Sequence, residues 1–188
     1  MKIFAGFIVL ICGLAINCSA QFRLPPFEVG LKGGFAAILA TSDITAINAQ
    51  GEIHLPINQH ISVGWIYART VYGTNYDNTQ DKDYNTRELI TGPELRISAG
   101  RARKLRPYLT LSYTKFEIVT DFENYRNANK SNALGAHFGL MLKLGSRMYL
   151  NLLEAGVRKL SKEPFWMPDG NLQIEFKTGL SYNFGKKK

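Results

Sequence analysis

The chain has 188 residues, 23 Lys and Arg against 15 Asp and Glu, and a formal charge of +8. Aromatic residues at 12% beside charged residues at only 20% exclude a disordered chain. No apolar run long enough for a membrane helix follows the first 20 residues, which excludes a helical membrane protein.

The N-terminus reads as an export signal. Lys2 supplies the positive start and Ile3 to Ile16 an uncharged apolar run. Cys18 and Ala20 are the small residues expected at −3 and −1 of a cut after Ala20. A lipoprotein cut before Cys18 would want a small residue where Asn17 stands. Both cysteines, Cys12 and Cys18, leave with the signal, so the mature chain has no disulfide and no thiolate metal site.

From Phe27 onward the pattern has period two, the strand signature. Phe27, Val29, Leu31, Phe35, Ala37 and Leu39 share one face; Glu28, Gly30, Lys32, Gly34 and Ala36 share the other. Ile47, Ala49, Ile53 and Leu55 alternate with Asn48, Gln50, Glu52 and His54. Ile61, Val63, Trp65 and Tyr67 alternate with Ser62, Gly64 and Ala68, with Ile66 untidily among the latter. Leu89, Leu95 and Ile97 oppose Glu94, Arg96 and Ser98, interrupted by Pro93. Leu109, Leu111 and Tyr113 oppose Thr110, Ser112 and Thr114. Leu134 to Leu144 oppose Gly135, His137, Gly139 and Lys143. Over 148–158 the phase is unclear, because Asn151 and Glu154 share a face only across a bulge. Leu172 to Phe184 alternate with Gln173, Glu175, Lys177, Gly179, Ser181 and Asn183. The expectation is eight strands with no helix.

Short turns at 56–59 and 145–147 alternate with long polar segments at 73–87, 119–132 and 160–170. Short turns on one rim and long loops on the other are what an outer-membrane barrel shows. Period two alone does not say which face is inside. The glycines decide: Gly30, Gly34, Gly64, Gly92, Gly135, Gly139 and Gly179 all fall on the polar face, where a narrow lumen would need their small size. That face also mixes both charge signs, as buried charges require.

The last strand carries Lys177-x-Gly179-x-x-Tyr182-x-Phe184. This spacing resembles the insertion signal of outer-membrane β-barrels, although Gly185-Lys186-Lys187-Lys188 follow where the family motif ends on the aromatic residue. With the signal peptide and strand pattern, the chain resembles the small, eight-stranded, porin-like outer-membrane barrel family. The resemblance implies an all-β, antiparallel, up-and-down transmembrane barrel over 27–185, after a signal peptide at 1–20 and a linker at 21–26, with a basic tail at 186–188. It also implies recognition by the assembly machinery through Gly179, Tyr182 and Phe184.

The expected lumen network is Glu28, Lys32, Glu52, His54, Glu94, Arg96, Lys143, Glu175 and Lys177. Eight strands leave an interior that side chains fill, so no wide channel is expected. The expected partners are outer-membrane lipid and lipopolysaccharide, the assembly machinery, and an extracellular partner at segments 73–87 and 119–132; no nucleic acid is expected. No catalytic residue, metal or cofactor is expected: His60-Ile61-Ser62 has a His-x-Ser spacing, but at the short-turn rim. Asp77, Asp81 and Asp83 lack the EF-hand pattern. Arg101, Arg103, Lys104 and Arg106 are read as a basic cluster at that same rim. The alternative is a soluble lipocalin-like barrel, with the leucine and aromatic face turned inward around an apolar ligand.

Overall fold

The computed structural model describes residues 25–38, 45–72, 75–77, 82–100, 103–122, 125–161 and 172–185. The strands are β1 (Phe27–Ile38), β2 (Thr45–Pro56), β3 (Ile61–Tyr72), β4 (Asn75–Asp77), β5 (Lys82–Ser98), β6 (Leu105–Phe122), β7 (Tyr125–Lys143), β8 (Met148–Leu160) and β9 (Leu172–Phe184). Every pairing is antiparallel between chain neighbours, and two more close the ring: β1 with β9 and β3 with β5. The short β4 stands outside the ring as a hairpin on the start of β5. Over the stretch they share, the eight strands therefore form a closed barrel without a free backbone edge among the described residues, the condition for crossing lipid with strands.

The alternation lands as a strict inside–outside division. Leu31 is 66% exposed and its neighbour Lys32 only 4%. Phe35, Ile47, Trp65, Leu134, Phe138 and Phe176 are all outward and at least half exposed. Outward positions on β3 run from Ile61 to Val71 and are apolar apart from Arg69. Ten residues of strand, tilted as barrels require, span about 25 Å, the height of a hydrocarbon core.

Three expectations change. First, 119–132 is no long loop: β6 and β7 stay paired out to Phe122 and Tyr125. Likewise β5 begins at Lys82, inside the supposed 73–87 loop. Ladder bonds between backbones need no apolar face, so a polar hairpin extends the sheet beyond the apolar stretch. Most of 160–170, and the 39–44 connection, lie outside the described residues. Second, the unclear phase of β8 is a bulge: pairing to β7 shifts between Leu140 and Met141, and pairing to β9 shifts between Asn151 and Glu154. Leu152 and Leu153 then both point out, and Asn151 and Glu154 are both buried. Third, the interior is not polar throughout. At the hairpin end Ala68, Ile90, Phe116, Ile118, Ala133 and Leu160 form a buried apolar layer. They continue the inward phase of their strands, which was read only over the polar stretch.

Candidate functional site

Inside the barrel the buried charges form one alternating chain. Arg106 Nη2 lies 3.7 Å from Glu28, and Glu28 is 2.6 Å from Arg96 Nη1. Arg96 Nη2 reaches Glu52 at 2.5 Å, and Glu52 meets Lys32 Nζ at 2.7 Å. Lys32 is 2.5 Å from Glu154, which lies 3.3 Å from Lys177. Lys177 meets Glu175 at 2.8 Å, and Glu175 meets Arg158 at 2.6 Å. The chain joins residues of β1, β2, β5, β6, β8 and β9, so it crosses the lumen and ties opposite walls. Tyr108 donates its hydroxyl to Glu154 at 2.6 Å, and Lys177 donates to Gln50 Oε1 at 2.8 Å. His137 Nε2 pairs with Glu175 at 2.8 Å and His54 Nε2 with Glu94 at 3.1 Å. Each charge has an opposite neighbour, which is the condition under which buried ions are tolerated.

The polar-face glycines are what let these side chains in. A Cβ on Gly139 would enter the Tyr108 ring, and one on Gly30 would meet the Glu52 carboxylate. One on Gly64 would meet the His54 ring.

The structure places Glu28, Lys32, Glu52, His54, Glu94, Arg96, Glu175 and Lys177 buried in the lumen. Lys143 is different. It is the last residue of β7, only half-buried at the rim, and no ion pair among the described residues includes it. It keeps the inward parity of Met141 but occupies the last rung of the β7–β8 ladder, opposite Tyr149 at the rim.

Several network members escaped the sequence reading. Arg106, read as rim charge, is 2% exposed, and its guanidinium lies 5.0 Å from the Tyr149 ring centroid. Its parity with Thr110 and Ser112 was the available signal, and so was that of Tyr108. Glu154 and Arg158 were hidden by the β8 bulge. Glu88, which accepts a hydrogen bond from Gln173 at 2.7 Å, has the parity of Glu94 and Arg96.

Glu52, His54 and Glu94 bring three ligand-type atoms within 4.8 Å of one another. Arg96 lies 2.5 Å from Glu52 and 3.7 Å from Glu94, and Lys32 also holds Glu52. The protein's own cations neutralise this cluster, so its chemistry is that of an ion-pair network. His60 Nδ1 lies 3.1 Å from the Ser98 carbonyl at the turn, and Ser62 is buried in the lumen. That geometry gives the pair different environments and no shared cleft. Asp81 and residues 186–188 lie outside the described residues.

On the last strand, Gly179 faces inward opposite Lys32. Tyr182 and Phe184 point out at the terminal rim, where Phe184 stacks on Phe27 at 4.8 Å and 9°. Tyr182 meets Phe184 edge-on at 4.7 Å. Aromatic rings at the end of an apolar band are the girdle arrangement of membrane barrels.

No family model and no curated protein sequence matches the chain. Solved structures do. The N-terminal β-barrel domain of Pseudomonas aeruginosa OprF superposes with a TM-score of 0.55 at 13% identity, over 85% of this chain and 98% of that one. Neisserial surface protein A gives 0.55 at 16%, over 85% and 96%. Ail, the attachment invasion locus protein of Yersinia pestis, crystallised with a heparin analogue, gives 0.53 at 11%, over 85% and 97%. The chain therefore has the fold of the small outer-membrane β-barrels, eight antiparallel strands closed on themselves.

Proposed function

We propose that the protein is an integral outer-membrane barrel, exported and cleaved after Ala20, which acts through its hairpin surface and not as a wide pore or an enzyme. The observation that carries this is the inversion of the barrel: apolar side chains cover the outside and ion pairs fill the inside. The soluble alternative requires an apolar lumen open to a ligand. Through most of its length this lumen holds paired charges, and at the hairpin end a closed apolar layer. A water-exposed wall of leucine, phenylalanine and tryptophan would aggregate, whereas lipid accepts it.

The interaction role rests on the hairpins. β6 has 18 residues and β7 19, where about ten suffice to cross a bilayer. The surplus presents a paired sheet beyond the membrane, stiffer than a loop. Two structural neighbours are named as a surface protein and an attachment protein, which supports the same kind of role here. Gly179, Tyr182 and Phe184 would serve as the strand read by the assembly machinery, with Tyr182 and Phe184 exposed on the outer wall.

The test is fractionation of cells expressing the full precursor, with gels run before and after boiling. A cleaved product in the outer-membrane fraction whose mobility shifts on heating is the expected result. A soluble periplasmic or secreted product with no shift would overturn the proposal.

A further inference from the structure

The outer wall changes character over four successive rows of cross-strand neighbours on β3, β5, β6, β7 and β8. The first row, with Val63, Leu111 and Val157, is apolar. The second carries Trp65, Tyr113 and Leu134. The third carries Tyr67, Lys115 and Asn132, and the fourth Arg69, Glu117 and Lys130. Trp65 marks the boundary: its ring lies on the apolar side and its Nε1 donates to Thr91 Oγ1 in the third row at 2.9 Å. Such a ring, apolar in body and polar at one tip, belongs at a membrane–water interface.

A groove of about 560 Å³ lies over the third and fourth rows, between Tyr67 and Leu89 on one side and Lys130 and Asn132 on the other. Lys115 and Lys130 both line it, both are exposed, and no ion pair among the described residues includes either. They are diagonal neighbours on β6 and β7, roughly 7–8 Å apart along the sheet. Glu117 offsets one cation, but Arg69 beside the groove restores the excess, and Lys159 adds another beyond Leu134.

We propose that this groove binds the phosphate-bearing headgroup of a lipid in the leaflet at the hairpin rim. The inference rests on the membrane reading and names a partner for its outer wall. A lipid is the occupant because the site is continuous with the lipid-facing wall: aromatic and aliphatic rows meet the acyl chains, and the lysines one and two rows further on meet the phosphates. Lysine stems lie along apolar surface while their ammonium groups reach the headgroups.

The test uses the mature chain in phosphatidylcholine nanodiscs, with bound lipid read by native mass spectrometry. The probes are diphosphorylated lipid A, the same lipid with both phosphates removed, and inorganic phosphate. Retention of lipid A is expected, reduced roughly tenfold in K115Q/K130Q and unchanged in K104Q at the opposite rim. The dephosphorylated lipid should bind as weakly as lipid A binds the double variant, and inorganic phosphate should not be retained. Equal retention of both lipids, no loss in K115Q/K130Q, or capture of inorganic phosphate alone would overturn the proposal. Heat-shifted mobility of each variant shows that its barrel is inserted. Its loss in the unsubstituted chain would defeat the membrane reading instead, so the two failures are distinguishable.

Discussion

Arg96 holds two carboxylates at once, Glu28 at 2.6 Å and Glu52 at 2.5 Å. Removing it leaves Glu52 with Lys32, but leaves Glu28 with only Arg106 at 3.7 Å. We expect Arg96→Met to destabilise the barrel by about 3–5 kcal/mol, the cost of stranding a buried charge. The pair Arg96→Met with Glu28→Gln should recover a large part of that loss. Urea unfolding in lipid vesicles, followed by tryptophan fluorescence, measures both; no recovery in the double variant would show that Glu28 is not the stranded group. Gly139 tests the fit of the same lumen. A Leu there has to displace the Tyr108 ring, and Tyr108 holds Glu154. Gly139→Leu should cost about 1–3 kcal/mol or more, whereas Gly145→Ala, with open space around it, should be neutral in the same assay. The glycines were legible in the sequence because their face was shared with charges. Their partners were not, since each partner sits on another strand.

At the level of single strands, β8 shows how one extra residue is used. The bulge turns Leu152 and Leu153 both outward, so that Asn151 on one side of it and Glu154 and Arg158 on the other all face the lumen. Deleting Leu152 alone removes the extra residue and leaves Tyr149, Asn151, Glu154 and Arg158 all in the inward phase, whereas deleting Leu152 and Leu153 together forces either Tyr149 and Asn151 or Glu154 and Arg158 towards lipid. We expect the double deletion to abolish the heat-shifted folded band, while deletion of Leu152 alone keeps it. The lipid-facing assignment is tested on β9, where Leu180 is outward and paired with Leu31. Leu180→Arg should destabilise insertion by about 2–4 kcal/mol if the site lies near the bilayer midplane. An unchanged unfolding midpoint would argue against lipid at that face. The sequence reading located all eight barrel strands but stopped β5, β6 and β7 short. It took polarity as the end of a strand, and in a hairpin the ladder continues wherever two backbones can pair.

For the whole molecule, two different layers seal the lumen. The ion-pair chain fills the end nearest the termini and the middle, and the apolar layer of Ile90, Phe116 and Ile118 closes the hairpin end. Hydrated ions face paired charges in one, and in the other buried apolar side chains beside the hydrogen-bonded Glu88 and Gln173. Planar-bilayer recordings of the purified barrel should therefore show no large steady conductance. Stable open-channel currents of porin size would show that this closure is not the state in membranes.

The chain alone carried the period of two and the strand positions. It also determined the inside–outside choice, because glycine and mixed charge on one face make sense only in a narrow interior. These are properties of residues close together in the chain, and alternation reports them directly. Which charge meets which was decided only by the closed ring: Lys32 and Glu154 are partners across 122 positions. The bulge in β8, the length of the hairpins and the groove on the outer wall were settled at the same level. Register between strands sets all of them, and register is a property of pairs of strands that no single strand carries.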